Sequence, residues 1–417
     1  MEKSGKFRLT SLERNWVLYD VGNSAFVLMV ATLIPIFFNA KAEAGGLRSV
    51  EYLAYWGYAS SAVTVITAVL SPILGTVADT KGFKKPIFIL CVFVGIVGCC
   101  AMGAASAWLP FLVIFVIAKV GFSGSLVFYD SMLSDVTTPE RMDEVSSRGY
   151  AWGYIGSCVP FVVCLGLVLG AGSIGISQMT ALNLALLLTA AWWLLTTLPL
   201  LKSYKQLHYV EVEKHAVRQS FARIGHTLRH LPEDKQVFWF LLAFFCYIDG
   251  VYTIIDMATA YGTALGLDTT GLLLALLVTQ IVAFPSALIF GRLSNKYPSA
   301  KLIPVCIAAY AGIAVFAFFL TRQWQFWVLA VIVGMFQGGV QALSRSHFAK
   351  IIPPEKSGEY FGLFDICGKG ASFLGTMIVS VGSQLTGSAN VGVGSLIVLF
   401  IVGFVLFRVS CRQGETV

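Results

Sequence analysis

The sequence predicts an all-α integral membrane protein with twelve transmembrane helices, built as two six-helix halves. Of its 417 residues, 57% are hydrophobic and only 12% are charged, with a mean hydropathy of +0.78, whereas soluble domains carry about 25% charged residues. The apolar residues form runs of about twenty, the length at which a helix crosses a bilayer core. These observations exclude a soluble enzyme, a nucleic-acid-binding module, a disordered chain and a membrane barrel, whose strands alternate apolar and polar residues.

Twelve apolar runs predict the transmembrane spans. Each run is long enough to cross the hydrocarbon core as a helix. The runs cover residues 16–38, 52–77, 87–106, 109–131, 147–170, 180–201, 237–260, 270–290, 302–320, 324–348, 360–381 and 392–408. An even number of spans places both termini on the same side of the membrane.

The lysines and arginines predict the orientation of these spans. Of the 29 such residues, 23 lie in the terminal segments and in the loops that follow even-numbered spans, counting Arg148 and Arg408 at span ends with the adjoining segments. Three lie in the opposite loops (Lys41, Arg48 and Arg322), and three lie within spans. Because basic loops stay on the cytoplasmic side, both termini are expected in the cytoplasm. The net charge of +7 is therefore interpreted as an orientation signal rather than a ligand-binding surface.

Motifs that recur at a fixed distance predict two related halves. Gly75-x3-Asp79 recurs 216 residues later as Gly291-x3-Asn295. Pro139-Glu140-Arg141 recurs 215 residues later as Pro354-Glu355-Lys356. A parallel repeat of six helices is one way in which transporters build a central binding site between two halves.

The expected domain organisation follows from this repeat: a six-helix bundle over residues 1–201, a cytoplasmic linker over 202–236 and a second bundle over 237–417. Apolar residues recur at helical spacing within the linker, at Val210, Val217, Phe221, Ile224, Leu228 and Leu231. This spacing predicts an amphipathic helix on the cytoplasmic membrane surface. His226 and His230 lie one turn apart, but a metal site requires further ligands, so neither a metal nor another cofactor is expected.

The loop after the second span resembles the signature of the major facilitator superfamily. That signature has a glycine, an aspartate four residues on, a second glycine and basic residues, between spans two and three on the cytoplasmic side. Thr80 and Phe83 stand where the superfamily usually has basic residues. The segment reads Gly75-Thr-Val-Ala-Asp79-Thr-Lys81-Gly82-Phe-Lys84-Lys85.

Longer motifs resemble the vacuole-effluxer-like branch of that superfamily and extend over most of the chain. They are Tyr19-Asp20-Val-Gly-Asn23-Ser24-Ala-Phe26, Glu144-Val-Ser-Ser-Arg148-Gly-Tyr-Ala-Trp152-Gly-Tyr154-Ile-Gly156, Asp249-Gly-Val-Tyr-Thr-Ile and Gly338-Gly-Val-Gln341-Ala-Leu-Ser-Arg345-Ser. The resemblance implies secondary transport, and amino-acid export from the vacuole is described for fungal members. It also implies that spans one, four, seven and ten line a central cavity, with Trp152 and Tyr154 as cavity aromatics.

Besides Arg148, His347 and Arg408 at span ends, eight charged residues lie within the predicted spans. A charge at the bilayer centre costs at least ~2.5–3.5 kcal/mol unless it faces a cavity or a partner. Spacing places several of them on shared helix faces, since Asp249 and Asp256 are seven residues apart on span seven, and Lys119 and Asp130 are eleven apart on span four. The eight residues are Asp20, Lys119, Asp130, Asp249, Asp256, Arg345, Asp365 and Lys369.

Neutral polar residues extend these faces on two further spans. Asp20 and Asn23 share a face of span one, and Gln337, Gln341 and Arg345 form a stripe at i, i+4 and i+8 on span ten. The polar stripes thus fall on the four spans that line the cavity in the superfamily, and on span eleven. This agreement favours a polar pocket at mid-membrane.

Some of these residues suit structural roles as well. Asp365 and Lys369 could neutralise each other one turn apart, and Asp256 could be a solvated residue near the outer surface. Asp130 and Arg345 lie at cytoplasmic helix ends and correspond in the repeat, so an ion-pair latch is favoured there over solute contact.

A cytoplasmic gate is therefore expected. It would hold that side closed while the cavity faces outward. Asp79, near the membrane surface, is favoured as a gate or helix-end residue over a solute ligand. The expected gate residues are Gly75, Asp79, Gly82, Lys84, Asp130, Arg148 and Arg345.

The function that these patterns favour is proton-coupled transport of a small polar solute by alternating access. Lys119, with Gln337 and Gln341, would bind an anionic or carbonyl group. Asp249, aided by Asp20, would bind a cationic group or carry the proton. A site offering both signs suits a zwitterion such as an amino acid, and Asp256, Asn23, Trp152, Tyr154, Asp365 and Lys369 complete the candidate site.

Three alternatives stay open. A sugar or polyol would also suit glutamines and aromatics, and a non-transporting sensor with the same fold cannot be separated by sequence. A membrane-embedded enzyme is disfavoured because neither a GxSxG nor an HExxH motif is present. The expected partners are the solute, protons and the lipid bilayer, without nucleic acid or an obligate protein partner. The short termini and compact loops favour a bacterial inner membrane.

Overall fold

The computed structural model describes residues 7–211, 225–227 and 229–414 of the chain. Helices joined by short connections account for most of these residues. They are α1 (Ser11–Ala31), α2 (Leu33–Ala44), α3 (Ser49–Ala78), α4 (Lys84–Ala104), α5 (Trp108–Ser131), α6 (Leu133–Val136), α7 (Met142–Leu169), α8 (Gln178–Ser203), α9 (Lys235–Ala264), α10 (Thr269–Leu293), α11 (Ser299–Phe318), α12 (Gln323–Ile351), α13 (Ser357–Thr386), α14 (Ala389–Gly394) and α15 (Ile397–Gly414).

Eleven segments are long and apolar enough to cross a membrane, judged over the residues that the structure describes. The twelfth predicted span, residues 360–381, lies in α13, which has 30 residues and also carries Glu359, Asp365 and Lys369. The helix α13 packs against α9 of the second half and α3 of the first half. With α13 included, each of the twelve predicted spans corresponds to a helix or a pair of helices. The predicted fold class is confirmed.

The first and last predicted spans each consist of two helices. The first breaks at Thr32, whose backbone leaves the helical region and whose hydroxyl donates to the Leu28 carbonyl at 2.5 Å. The last is α14 followed by α15. Each of the other ten predicted runs lies almost wholly within one helix, and most of these helices extend beyond the run at both ends.

Equivalent helices pack against each other in the two halves, as the sequence repeat predicts. In the first half α1 packs on α7 and α8, and α5 packs on α3 and α4. In the second half α9 packs on α13 and α15, and α12 packs on α10 and α11. The two sets correspond helix by helix at a shift of six spans.

The two halves touch through α3 against α13 and through α7 against α10 and α12. We call the end of the bundle that carries the start of α1, the end of α15 and the loop between α3 and α4 the basic end. Hydrogen bonds and ion pairs between described residues join the halves at positions 71–84, 130–146, 295, 342–350 and 357–365. The molecule is therefore closed at its basic end.

The predicted amphipathic linker helix cannot be compared with the structure over most of its length. Val217, Phe221, Ile224 and Leu228 lie outside the described residues. Residues 204–211, which follow α8, are described and lie against the first half.

We expect the basic end to face the cytoplasm, because 23 of the 29 lysines and arginines belong in sequence to the terminal segments and to the loops after even-numbered spans. Green fluorescent protein fused after Val417 should fluoresce, and alkaline phosphatase fused there should be inactive. Phosphatase inserted after Gly46, in the loop at the opposite end, provides the matched control and should be active. The reverse pattern would contradict the assigned orientation.

Candidate functional site

The contact between α3 and α13 is a backbone-to-backbone packing made possible by glycine. A Cβ on Gly75 would collide with the Gly358 carbonyl, and a Cβ on Gly362 would lie 2.6 Å from the Pro72 Cα. The Ser71 hydroxyl donates to Asp365 across the same interface at 2.7 Å. Close packing of this kind lets polar groups on the two helices reach each other directly.

Asp79 closes the basic end of this contact. Its two carboxylate oxygens accept the backbone N–H groups of Gly358 at 2.7 Å and Glu359 at 2.8 Å. These are free donors in the first turn of α13, where the helix dipole also favours a negative charge. The carboxyl is fully buried, and this burial raises its pKa to about 6 despite the nearby Lys84 ammonium.

Lys84 joins the same cluster from the start of α4. Its fully buried ammonium donates to Ser357 Oγ at 2.8 Å and lies 3.6 Å from Asp79 and 3.9 Å from Asp135. Because Ser357 belongs to the second half, Lys84 bridges the halves. Gly82, with a φ of +78°, forms the turn that brings Lys84 back beneath Asp79.

Asp135 was not among the predicted gate residues, although it organises this region. It accepts the Tyr204 hydroxyl at 2.6 Å and the backbone N–H groups of Leu207 and His208 at 3.2 and 2.9 Å. The segment after α8 is thereby held against the loop that follows α3, where Val210 pairs with Thr80. The sequence around Asp135 contains no repeat or motif that would have identified this residue.

A second interface joins α7 to α10 and α12. The Asn295 side chain donates to Glu144 Oε2 at 2.7 Å. Asp143 accepts the Ser346 hydroxyl at 2.6 Å and pairs with the Lys350 ammonium at 2.6 Å. Asn295 occupies the repeat position of Asp79, so the two interfaces are related, with an amide in place of the carboxylate.

Arg345 lies between the two halves at the centre of the closed end. Its side chain is 2% exposed and forms two ion pairs, one with Asp130 at 2.9 Å and one with Asp20 at 3.7 Å. The guanidinium also donates to Ser146 Oγ at 2.9 Å and to the Ser146 carbonyl at 3.0 Å. One cation from α12 therefore binds three elements of the first half, namely α1, α5 and α7.

Aromatic rings hold this cation in place. The Arg345 guanidinium lies 4.7 Å from the Trp16 ring centroid and 4.3 Å from that of Tyr150. Trp16 stacks on Tyr129 at 4.3 Å, and its indole N–H donates to the Tyr129 carbonyl at 2.9 Å. Cation–π contacts of this kind are strongest when desolvated.

Arg148, which the sequence placed in the gate, does not bridge the halves. It donates to Glu144 one turn earlier at 2.7 Å and contacts the Phe7 ring, and both belong to the first half. The i, i+4 spacing lets α7 satisfy this arginine internally. Its contribution to closure is indirect, because it holds the Glu144 carboxylate that accepts Asn295.

Lys119 and Asp256 belong to different halves and interact electrostatically. The Lys119 ammonium lies 4.7 Å from the Phe122 ring centroid. Asp256 has an exposed side chain even though protein surrounds it. An exposed carboxylate that protein surrounds is typical of a residue bordering a cleft.

Asp249 lies on the same helix as Asp256 but in a different environment. It is fully buried, and its Oδ1 accepts the Gly375 backbone N–H at 2.8 Å and the Thr253 hydroxyl at 3.3 Å. Its Oδ2 accepts no hydrogen bond from the described residues. The structure thus places Asp249 between α9 and α13, and it is Asp256 that interacts with Lys119.

A largely apolar pocket lies within the second half, next to Asp256. Its volume is about 690 Å³ including its open mouth, and residues on both sides of Asp256 line it, such as Ile255 and Met257. Gln337 lies at its edge, with a buried Oε1 that accepts no hydrogen bond from the described residues. Tyr154, from the first half, packs against Gly338 beside this glutamine.

The remaining predicted residues divide between the interface and the helix cores. Asn23 is buried and donates to the Tyr19 carbonyl at 3.0 Å. Trp152 is 45% exposed and packs edge-to-face on Phe284 of the other half. Gln341 is half-buried, and the side chain of Lys369 lies outside the described part of the chain.

Comparison with known families agrees with this architecture. The chain matches the family described as "Vacuole effluxer Atg22 like" over residues 11–140 and 134–416. It is 42% identical to a protein from Bacillus subtilis (strain 168) named "Uncharacterized MFS-type transporter YxiO", over 98% of this chain and 97% of that protein. The chain belongs to the Atg22-like family of major facilitator superfamily transporters. It is a multi-pass secondary transporter and not an enzyme.

Fungal members of the family are more distant. "Autophagy-related protein 22" of Coccidioides immitis (strain RS) is 25% identical over 65% of this chain. The match covers only 51% of that protein's length.

Solved structures share the fold at low sequence identity. The human organic anion transporter MFSD10 (TETRAN) superposes with a TM-score of 0.72 at 14% identity, covering 95% of this chain and 99% of that one. The transporter FucP superposes with a TM-score of 0.70 at 16% identity, covering 96% and 97%.

The Arg345 contacts predict that this residue stabilises closure of the basic end. Arg345→Ala leaves Asp20 and Asp130 without their cation, and removing one partner of a buried pair costs ~3–5 kcal/mol. We expect the population closed at the basic end to fall, measured by pulsed EPR between labels on the exposed loop residues Glu140 and Lys296. Labels attached through non-canonical amino acids avoid the nine native cysteines.

Arg345→Lys is the matched control for this prediction. It keeps the charge but loses the planar fork that reaches Asp130 and Ser146 together, so an intermediate population is expected. Identical distance distributions in all three proteins would contradict the role assigned to Arg345.

Proposed function

We propose that the protein moves a small zwitterionic solute, such as an amino acid, by alternating access with proton coupling. The observations that carry this proposal are the exposed carboxylate of Asp256 in the second half and its electrostatic interaction with Lys119 of the first half. Opposite charges on opposite walls of one cavity can bind the two ends of a zwitterion. The solute would then link the halves only when both charges contact it.

Lys119 supplies the cationic side of this site. Its position on α5, near the aromatic rings of Phe122 and Phe26, presents an ammonium to an incoming carboxylate. Gln337 and Gln341 add amide groups on α12, and Tyr154 adds a hydroxyl from the first half. The apolar pocket beside Asp256 would accept the uncharged part of the solute.

Asp249 is the proposed proton carrier. Its carboxyl is buried in the second half and half-satisfied by Gly375 and Thr253. Asp249 accepts a hydrogen bond from α13 and need not contact the solute. Gain or loss of its proton would therefore change how α9 packs on α13. Asp20 would assist from the first half, because it shares Arg345 with Asp130.

Alternating access also requires that one end of the transporter be closed while the other is open. Contacts of Asp79, Lys84 and Arg345 join the halves at the basic end, while Asp256 is solvent-reachable. We assign the basic end to the cytoplasm of a bacterial inner membrane, so this state would face outward. Binding of solute would favour rotation of the halves and opening of the basic end.

The zwitterion proposal predicts a specific effect of Lys119→Gln. Loss of the ammonium should raise the KM for the solute by roughly tenfold or more, since a charged hydrogen bond contributes about 1.5–3 kcal/mol. Uptake into proteoliposomes should be screened across amino acids, sugars and nucleosides. Lys41→Gln, at a lysine in the loop end of α2, is the control and should leave the KM unchanged.

Uptake of a neutral sugar with no response to Lys119→Gln would contradict the zwitterion proposal. Zwitterions and neutral sugars are compared in the same vesicles, so the effect of Lys119→Gln on uptake can be read for either class of solute.

The proton proposal predicts that Asp249→Asn separates coupling from exchange. The amide cannot gain or lose a proton, so uphill uptake driven by a pH gradient should be lost. Solute exchange across the same vesicles, which needs no net proton movement, should persist. Asp256→Asn should instead reduce both, and unchanged proton-driven uptake in Asp249→Asn would remove Asp249 from the mechanism.

A further inference from the structure

Glu359 is a buried carboxyl within the closed end that the gate contacts leave unsatisfied. Its side chain is 0% exposed, and neither oxygen accepts a hydrogen bond from any residue that the structure describes. It lies in the first turn of α13, beside the interface with α3. Burying a carboxyl without partners is costly in either protonation state, and far more so when it is ionised.

Glu359 lacks hydrogen-bond partners among the described residues because Asp79 occupies the backbone donors at the start of α13. The first-turn N–H groups of Gly358 and Glu359 are the natural donors for an acidic side chain at this position. Both are already taken by the Asp79 carboxylate at 2.7 and 2.8 Å. The Lys84 ammonium lies beside Asp79 and Asp135, and Glu359 is close enough to Asp79 to disfavour its negative charge.

The repeat shows that this arrangement is specific to one interface. Glu144 stands 215 residues before Glu359, in the first turn of α7, and is fully partnered: Arg148 donates to Oε1 at 2.7 Å and Asn295 donates to Oε2 at 2.7 Å. At the position that corresponds to Arg148, the second half has Leu363. The same carboxyl therefore has a cation four residues later in one half and an apolar side chain in the other.

We propose that Glu359 sets the conformational balance of the transporter, by penalising the state closed at the basic end and so keeping the α3–α13 contact ready to open. Separation of α3 from α13 would expose the carboxyl to water and remove the penalty. The inference rests on the alternating-access part of the proposed function and not on the identity of the solute or the coupling ion.

The test compares open and closed populations in Glu359→Gln, using the label pair on Glu140 and Lys296. The measurement is made in the Arg345→Ala background, where the open population is large enough to quantify. Replacing the carboxylate with an amide removes the repulsion and offers an N–H to Asp79. The ratio of open to closed molecules should fall by roughly tenfold, which corresponds to the low end of the penalty for an unpaired buried group.

One control at the repeat-related position and one at an exposed neighbouring residue sharpen the result. Glu144→Gln removes a charge that has partners, so it should shift the ratio in the opposite direction, toward the open state. Glu355→Gln changes an exposed carboxylate two residues before α13 and should leave the ratio unchanged. Glu359→Met, an apolar side chain of similar length, should act like Glu359→Gln and carries the test if the amide variant does not insert.

An unchanged or increased open population in both Glu359 variants would overturn the inference. A single distance in every variant, including Arg345→Ala, would count against alternating access itself and against the inference with it. Failure of the solute or proton proposals would appear only in the flux assays, because the distance measurement uses neither solute nor gradient.

Discussion

Closure of the basic end depends on burying charges only where the opposite half supplies their partners. Arg345 is the central case: a guanidinium that is 2% exposed, neutralised by Asp130 and Asp20 and hydrogen-bonded to Ser146. A buried ion pair contributes little net stability by itself, but breaking it leaves an uncompensated charge. Because the partners belong to the other half, separation of the halves must coincide with access of water to these groups.

The same constraint explains why the two interfaces at the basic end differ. On the α7 side, Glu144 meets both Arg148 and Asn295, so every charge has a partner. On the α3 side, Asp79 takes the free amides of α13 and leaves Glu359 without any among the described residues. Two contacts that correspond in the repeat thus differ, because the Asp143 and Glu144 carboxylates are paired at one interface and Glu359 accepts no hydrogen bond from the described residues at the other.

The charges of Lys119 and Asp256 are not buried in the contacts that close the basic end. Asp256 has an exposed side chain and interacts electrostatically with Lys119 of the other half, so these charges stand outside the closed network at the basic end. A solute that offers both signs can replace water at these two charges. Binding and closure would then be linked, because the groups that bind the solute belong to different halves.

Much of the fold and some of the residues that join the halves at the basic end could be predicted from the sequence. The twelve spans follow from runs of apolar residues, since a bilayer fixes the length of a helix that crosses it. The Asp79 loop was recognised by its motif, and Arg345 with Asp130 by their position at equivalent helix ends. Local composition and repetition carry this information directly.

Side-chain partners, in contrast, were decided by the tertiary structure. Helical spacing places Asp249 and Asp256 on one face, but it does not say that α13 covers the first while the second remains open to water. Nor does spacing show that Arg148 is satisfied within its own helix, or that Glu359 is not. Sequence by itself determined how often the chain crosses the membrane. Only packing decided which charges are paired, because a partner is a neighbour in space and the two halves meet across hundreds of residues.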